Sequence, residues 1–582
     1  MIEPAVNDIG LLHPDISDKD RDRSAASLGL LRSLIAGHDR SMVFFVGAGA
    51  SSAGNSGMPP TGAIMSRLLL DALDRTGKFP RDDGGRRDCL GPVAGRLGFE
   101  ITLNDLWQIC RESVYGVFGA LATLEERCAP NRAHAFLAYW LSTGGIVLTT
   151  NYDRLVEREW VKLASVPAVR YRMVGRGSFE TWQNDLKHGH CLFKLHGSLS
   201  DPRSCLGALE HVRTRLIGDR EELIEGIIRE RPVCFVGWRG ADPDIPPLLG
   251  ELADRGSLAG PVFWVHYGGR HSGLRTLEGA LQDVPERLSG LASDRPMLTE
   301  ADAFFGELLS WLGLSQTQNP WREAEEPDFD LAVASCPRSG LARFAGIVLR
   351  RGGVFGLSSE ALEAARDLAS TPGERAAATQ EIALLTSVSK GETARADVVA
   401  LVGEAAHKLE ATSDLLLMLN VDFGLLSNTM LLAKTRPWVL VRLPGLFREY
   451  GRHIEESRQA SVSEESVSLH VALLNLYLGR LRLGLFGWLG AGLGWVATWI
   501  VQPFEIARLE IVKAGDIHVH SSIDVLSYKA LAAARLGRCD QALIDMPEIE
   551  RLIKLLGDEP RTLHWEEQKA ELRQRCQQAG AR

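Results

Sequence analysis

Five short runs in the first half of the chain are apolar at nearly every position: Met42-Val43-Phe44-Phe45-Val46 and the segments 145–150, 191–195, 232–236 and 261–265. A strand with one wet face alternates apolar and polar residues, so an unbroken apolar run must be covered on both faces. Helix-like stretches separate the runs. The expected fold is therefore α/β, a Rossmann-like, mainly parallel sheet with helices on both sides and a helical insertion at about 75–140. At 582 residues the chain is too long for one core.

Each run discharges polar groups at its carboxyl end, the edge where open parallel sheets bind ligands. The first enters Gly47-Ala48-Gly49-Ala50-Ser51, where the lack of Cβ atoms would let backbone N–H groups approach a polyphosphate. The second ends in Thr149-Thr150-Asn151-Tyr152-Asp153, and the third in Leu195-His196-Gly197. The fourth continues as Gly237-Trp238-Arg239-Gly240-Ala241-Asp242-Pro243-Asp244, and the fifth ends at His266. Asn151 and Asp153 also suit turns and helix caps, and His196 also suits a buried core position. Their shared placement at strand ends favours a site.

Taken in order, these motifs resemble the sirtuin-like superfamily over roughly 41–313. The resemblance implies NAD+ binding, with Gly47, Ala48, Gly49, Ala50, Ser51, Thr150, Asn151, Gly237, Asp242 and His266 holding the dinucleotide. It makes Asn151 and His196 catalytic, with Asp153 in support. Deacylating sirtuins carry a four-cysteine zinc ribbon and Pro-Asp-Phe-Arg after the glycine turn. Here Met58-Pro59-Pro60-Thr61 follows, and none of the nine cysteines forms a Cys-x-x-Cys pair. The pattern is similar to the branch that hydrolyses NAD+ outright, many members being effectors of bacterial anti-phage defence. NAD+ would then be a substrate, no metal would be needed, and the product would be ADP-ribose. The alternatives are a non-catalytic NAD or ADP-ribose binding module and an NAD-dependent protein deacylase.

The first forty residues read as a polar arm ending in an amphipathic segment, and 316–330, with Pro320 and Pro327, as a linker. Beyond 330 the chain is helical in pattern, with Gly-Arg turns at Gly479-Arg480 and Gly537-Arg538 and a looser copy at 344–362. These copies resemble degenerate tetratricopeptide-type helical pairs and imply a sensing or oligomerisation domain. A homo-oligomer held inactive until triggered is expected, with a phage-derived activator or a partner ATPase as candidate triggers. The net charge of -9 gives no general attraction to nucleic acid or an anionic membrane. Scattered cysteines and the lack of a leader pattern fit the cytoplasm. The charge-free stretch 483–501 has the length of a membrane span, but burial is favoured because a soluble helical pattern resumes after Gln502. His518 and His520 have metal-pair spacing without a third ligand nearby.

Overall fold

The computed structural model describes residues 16–37, 42–52, 62–75, 99–163, 170–173, 189–205, 219–240, 244–267, 276–282, 288–314, 327–409, 415–432 and 441–459, with scattered positions between them and from 526 to 580. They fall into two compact units, drawn from Met1–Leu68 with Val114–Ala332 and from Leu69–Ser113 with Val333–Arg582. The stretch 483–501, the turns at Arg480 and Arg538, and the pair His518 and His520 lie outside the described residues. No described helix is long and apolar enough to cross a membrane.

Among the described residues, the first unit is built on seven strands: β1 (Val43–Val46), β2 (Ile146–Thr149), β3 (Arg170–Met173), β4 (Cys191–Lys194), β5 (Val233–Val236), β6 (Val262–His266) and β7 (Arg295–Leu298). They lie in the order β3-β4-β2-β1-β5-β6-β7, and every pairing is parallel. β3 and β7, at the two edges, were not anticipated, since Arg-Tyr-Arg-Met and Arg-Pro-Met-Leu lack the apolar density of the central runs. β1, β2, β4, β5 and β6 are buried along their whole length, as expected of a sheet covered on both sides.

Side-chain alternation along these strands feeds two separate cores. Phe44, Val46, Val147, Leu192, Val236, Phe263 and Val265 pack with residues of helices Asp18–Ala36, Arg132–Ser142 and Ala301–Trp311. Val43, Phe45, Ile146, Leu148, Phe193, Phe235 and Trp264 pack with helices Asp219–Ile228 and Ile245–Asp254. The expected N-terminal arm is thus in part a helix whose Leu28, Leu31 and Ile35 belong to the first core, and it packs against β7. Phe44 meets Phe136 and Trp140 edge-on at centroid distances of 5.2 and 5.4 Å, a favoured aromatic geometry that fixes helix Arg132–Ser142 on the sheet.

In the second unit, helices Arg338–Arg351, Phe355–Leu368, Pro372–Lys390, Arg395–Leu409, Leu415–Leu432 and Leu443–Gln459 each pack against the next in the chain. Segment 344–362 is a helical pair closed by Gly352 and Gly353, with Ser358 Oγ donating to the Gly346 carbonyl at 2.7 Å. Thr371 caps the third helix by accepting from Glu374 N–H at 3.2 Å, ahead of Pro372 at the first helical position. Part of the expected insertion belongs here too. Helix Phe99–Ile109 packs on Arg338–Arg351, and Arg351 Nη2 donates to Asp105 Oδ1 at 2.7 Å in a buried ion pair.

Candidate active site

Because all seven strands run parallel, their carboxyl ends share one edge, and the four central ones stand in the order β4, β2, β1, β5. Three turns off these strands are tied together by backbone and hydroxyl bonds. Thr149 Oγ1 donates to the Val46 carbonyl at 2.9 Å and accepts from Asn151 N–H at 3.0 Å, which turns the chain sharply after β2. Leu195 N–H reaches the Thr149 carbonyl at 2.8 Å, and Thr150 N–H the Val46 carbonyl at 3.2 Å.

The glycine turn interlocks with the turn after β5. Gly47 N–H donates to the Val236 carbonyl at 3.1 Å, Gly49 N–H to the Gly237 carbonyl at 2.9 Å, and Ala50 N–H to Gly47 at 3.0 Å. A Cβ on Gly237, whose φ is +65°, would lie 2.3 Å from Ala50 N, and one on Gly47 2.7 Å from the Gly237 carbonyl. These glycines therefore let two backbones touch. The N–H groups of Gly47 and Gly49 face protein carbonyls.

Ser51, in the short helix Ala48–Ser52 beyond that turn, is a junction of side chains. Its Oγ donates to Asp153 Oδ2 at 2.7 Å, accepts from Asn151 Nδ2 at 2.9 Å and meets His134 Nε2 at 3.1 Å. Asp153 Oδ1 also accepts Leu155 N–H at 3.2 Å, capping the following helix. Ser51, His134 and Asp153 are buried. Asn151 Oδ1 is buried as well and has no hydrogen-bond partner among the described residues. An unpaired buried amide oxygen is costly.

His196, in the turn after β4, is buried between two acids from the β5 turn. Its Nε2 lies 3.2 Å from Asp244 Oδ2, and its Nδ1 3.8 Å from Asp242 Oδ1. A carboxylate can only accept, so the ring donates from Nε2 and Nδ1 becomes the basic nitrogen of the neutral imidazole. Trp238 Nε1–H holds the far side of Asp242. Burial pushes the Asp242 carboxyl above the usual aspartate range, against the pull of the His196 ring. Asp244 Oδ1 is a second buried acceptor with no partner among the described residues.

A buried cation completes this end of the sheet. Lys194, on β4, donates to the backbone carbonyls of Tyr152 and Asp153, and to Glu157 Oε1 at 3.0 Å. Burial raises the Glu157 carboxyl pKa, which Lys194 opposes. A small cavity beneath the edge is lined by Ser51, His134, Asn151, Asp153, Glu157 and Lys194. His266 stands at the carboxyl end of β6, but its ring stacks on Trp264 and its Nε2 meets the Ala292 carbonyl at 3.1 Å. Burial lowers its pKa to about 4, so at neutral pH it is an uncharged packing group.

Residues 145–282 match the family model of the SIR2-like domain. The match supports a sirtuin-like family for this part of the chain, and no curated protein matches. The SIR2-like segment holds Asn151, Asp153, His196, Gly237, Asp242 and His266, whereas Gly47, Ala48, Gly49, Ala50 and Ser51 precede it. Of the residues singled out from sequence, the structure joins Ser51, Asn151 and Asp153 in one cluster and His196 and Asp242 in another. His134, Asp244, Trp238 and Lys194 were missed as site residues. His134 had a readable signal, since Asn131 followed three residues later by a polar side chain is the pattern of a helix N-cap. Nothing local said that the same ring would face Ser51. Among the described residues, no group of three or more His, Cys, Asp or Glu could hold a metal ion.

Proposed function

We propose that the first unit is an NAD+ glycohydrolase that releases nicotinamide and ADP-ribose. The observation that carries this reading is His196, buried against Asp244 and Asp242, at the same sheet edge as Asn151 with its orphaned amide oxygen. Breaking the nicotinamide bond builds positive charge on the ribose carbon, so the site must grip the sugar and bring a water to it. Asn151 Oδ1 accepts a ribose hydroxyl. His196 Nδ1 takes a proton from a ribose hydroxyl or the attacking water, and Asp244 stabilises the resulting imidazolium. The pair of electrons in the broken bond goes to the pyridinium nitrogen, which leaves neutral, and water supplies the new hydroxyl of ADP-ribose. The glycine turn brings the backbone of β1 close to that of β5, and Ser51 keeps Asn151 in place.

A hydrolase is favoured over a silent binding module because a histidine backed by two acids serves proton transfer, which binding alone does not need. The chain lacks Cys-x-x-Cys pairs, which disfavours the deacylase. The helical unit would keep the enzyme idle as a cytoplasmic homo-oligomer until a phage-derived signal or a partner ATPase releases it, in the manner of an abortive-infection effector. Purified protein incubated with NAD+ should liberate nicotinamide when triggered, and His196→Ala should lower the rate roughly a hundredfold or more. Unaltered NAD+ under every triggering condition would sink the reading.

A further inference from the structure

We propose that Cys110 and Cys336 are a peroxide-sensitive thiol pair of the second unit, closing to a disulfide through a sulfenic acid on Cys110. The pair is independent of the NAD+ chemistry above. Cys110 is the joint between helix Phe99–Ile109 and helix Arg111–Arg127, and its N–H donates to the Leu106 carbonyl at 2.7 Å. Cys336 lies in the turn before Pro337, where its N–H donates to the Val333 carbonyl at 3.1 Å. Between them stands the buried Ser113, whose Oγ is 3.1 Å from Cys110 Sγ, 2.9 Å from Cys336 Sγ and 2.8 Å from Ser335 Oγ. Two sulfurs held on one oxygen can be no farther apart than those two distances laid end to end, and the two side chains act on each other directly. Both thiols are free. Bridging them brings the sulfurs to about 2 Å, with the Ser113 hydroxyl stepping aside.

The two sulfurs are unequal. Cys110 is half-buried, whereas Cys336 is buried, and burial pushes the Cys336 thiol up to about 12 with Ser113 opposing it. A thiol kept protonated away from water is a poor first nucleophile, so the peroxide reacts at Cys110. The Cys110 sulfur attacks a peroxide oxygen: an S–O bond forms, the O–O bond breaks, and one water leaves. The Cys336 sulfur then attacks the sulfenic sulfur, and the S–S bond forms as the S–O bond breaks. Ser113 accepts the Cys336 hydrogen and passes its own to the departing oxygen, which leaves as a second water. Two thiols have then lost two hydrogens and two electrons, and one peroxide has become two waters. The place of the bond gives it a consequence. The chain leaves the second unit after Ser113 and re-enters it at Val333, so the bridge clasps both crossings and restricts the unfolded chain over a long loop.

The test treats reduced full-length protein with hydrogen peroxide and maps its cysteines by mass spectrometry without reductant. Peptides joined through Cys110 and Cys336 are expected, and dithiothreitol should part them again. In Cys336→Ser the sulfenic acid on Cys110 has no resolving partner, so its labelling by a 1,3-dione should exceed that of wild type at least about tenfold. Ser113→Ala removes the hydroxyl relay and should slow bridge formation at least about tenfold; closure at the wild-type rate would overturn the relay. Wild-type protein in which Cys110 and Cys336 stay unlinked under peroxide, or link to other cysteines instead, would overturn the inference. Dione labelling that falls on Cys336 before Cys110 would overturn it as well. Both of these readings come from the wild-type chain, so a variant that fails to fold leaves the test standing.

Discussion

Two histidines from this sheet edge illustrate how burial and partners decide what one side chain does. His196 meets two carboxylates, one of them with an oxygen unpaired among the described residues, and on this setting the proposed proton transfer rests. His266 meets a backbone carbonyl and an indole face, and burial lowers its pKa to about 4. In the unfolded chain the same ring titrates near 6.5, so below that value the unfolded state binds a proton that the folded state refuses. The stabilisation is complete above pH 6.5 and is lost as the pH falls toward 4, to the extent of about 3 kcal/mol. His266→Gln should flatten that part of the stability profile in denaturant titrations at successive pH values. A profile identical to wild type would show that another group governs acid sensitivity.

Among elements, the turns after β1 and β5 depend on one another. Gly237 holds a positive φ with Ala50 N in its way, and Gly49 N–H closes on the Gly237 carbonyl. Gly237→Ala demands both a left-handed alanine and a displaced turn, so a loss of roughly 2–4 kcal/mol in folding stability is expected. Calorimetric melting should show it, together with weaker NAD+ binding, because the same turn leads to Asp242 and Asp244. The central elements were readable: runs such as Val43-Phe44-Phe45-Val46, short, β-branched or aromatic and bounded by turn residues, have the pattern of strands covered on both faces. β3 and β7 were not, because an edge strand needs fewer apolar residues and its pairing depends on a neighbour far along the chain. In helix Asp18–Ala36 the amphipathic end that carries Leu28, Leu31 and Ile35 was readable, whereas its charged first turns read as a polar arm.

Across the whole molecule, neither unit is a continuous piece of chain. The segment Leu69–Ser113 belongs with Val333–Arg582, and its helix Phe99–Ile109 is anchored by the buried Asp105 to Arg351 pair. Breaking one partner from a buried pair costs about 3–5 kcal/mol, because the other charge is left without compensation. A truncated protein ending at Ala332 should therefore fold poorly: it keeps Asp105 and discards Arg351. Solubility and the protease resistance of the helix Phe99–Ile109 region, compared with the full chain, check this. A truncated protein as resistant as the full chain would mean that the segment needs no partner from the second unit.

The succession along the chain of the five central strands, the helices between them and their polar ends lay in the sequence, because burial on two faces and chain reversal at glycine are local demands that residues meet with their immediate neighbours. So Asn151 and His196 could be picked out as candidates, and the SIR2-like match over 145–282 spans both. Which groups answer them could not be read there. Asp244 is 48 residues from His196, and His134 is 83 residues from Ser51, so their meeting depends on strand order, register and the seating of helix Arg132–Ser142 on Phe44. The tertiary structure also decided that the N–H groups of Gly47 and Gly49, after β1, reach the carbonyls of Val236 and Gly237. Hydrogen-bond direction and desolvation are properties of assembled neighbours, and a chain acquires them only when distant segments have been packed together.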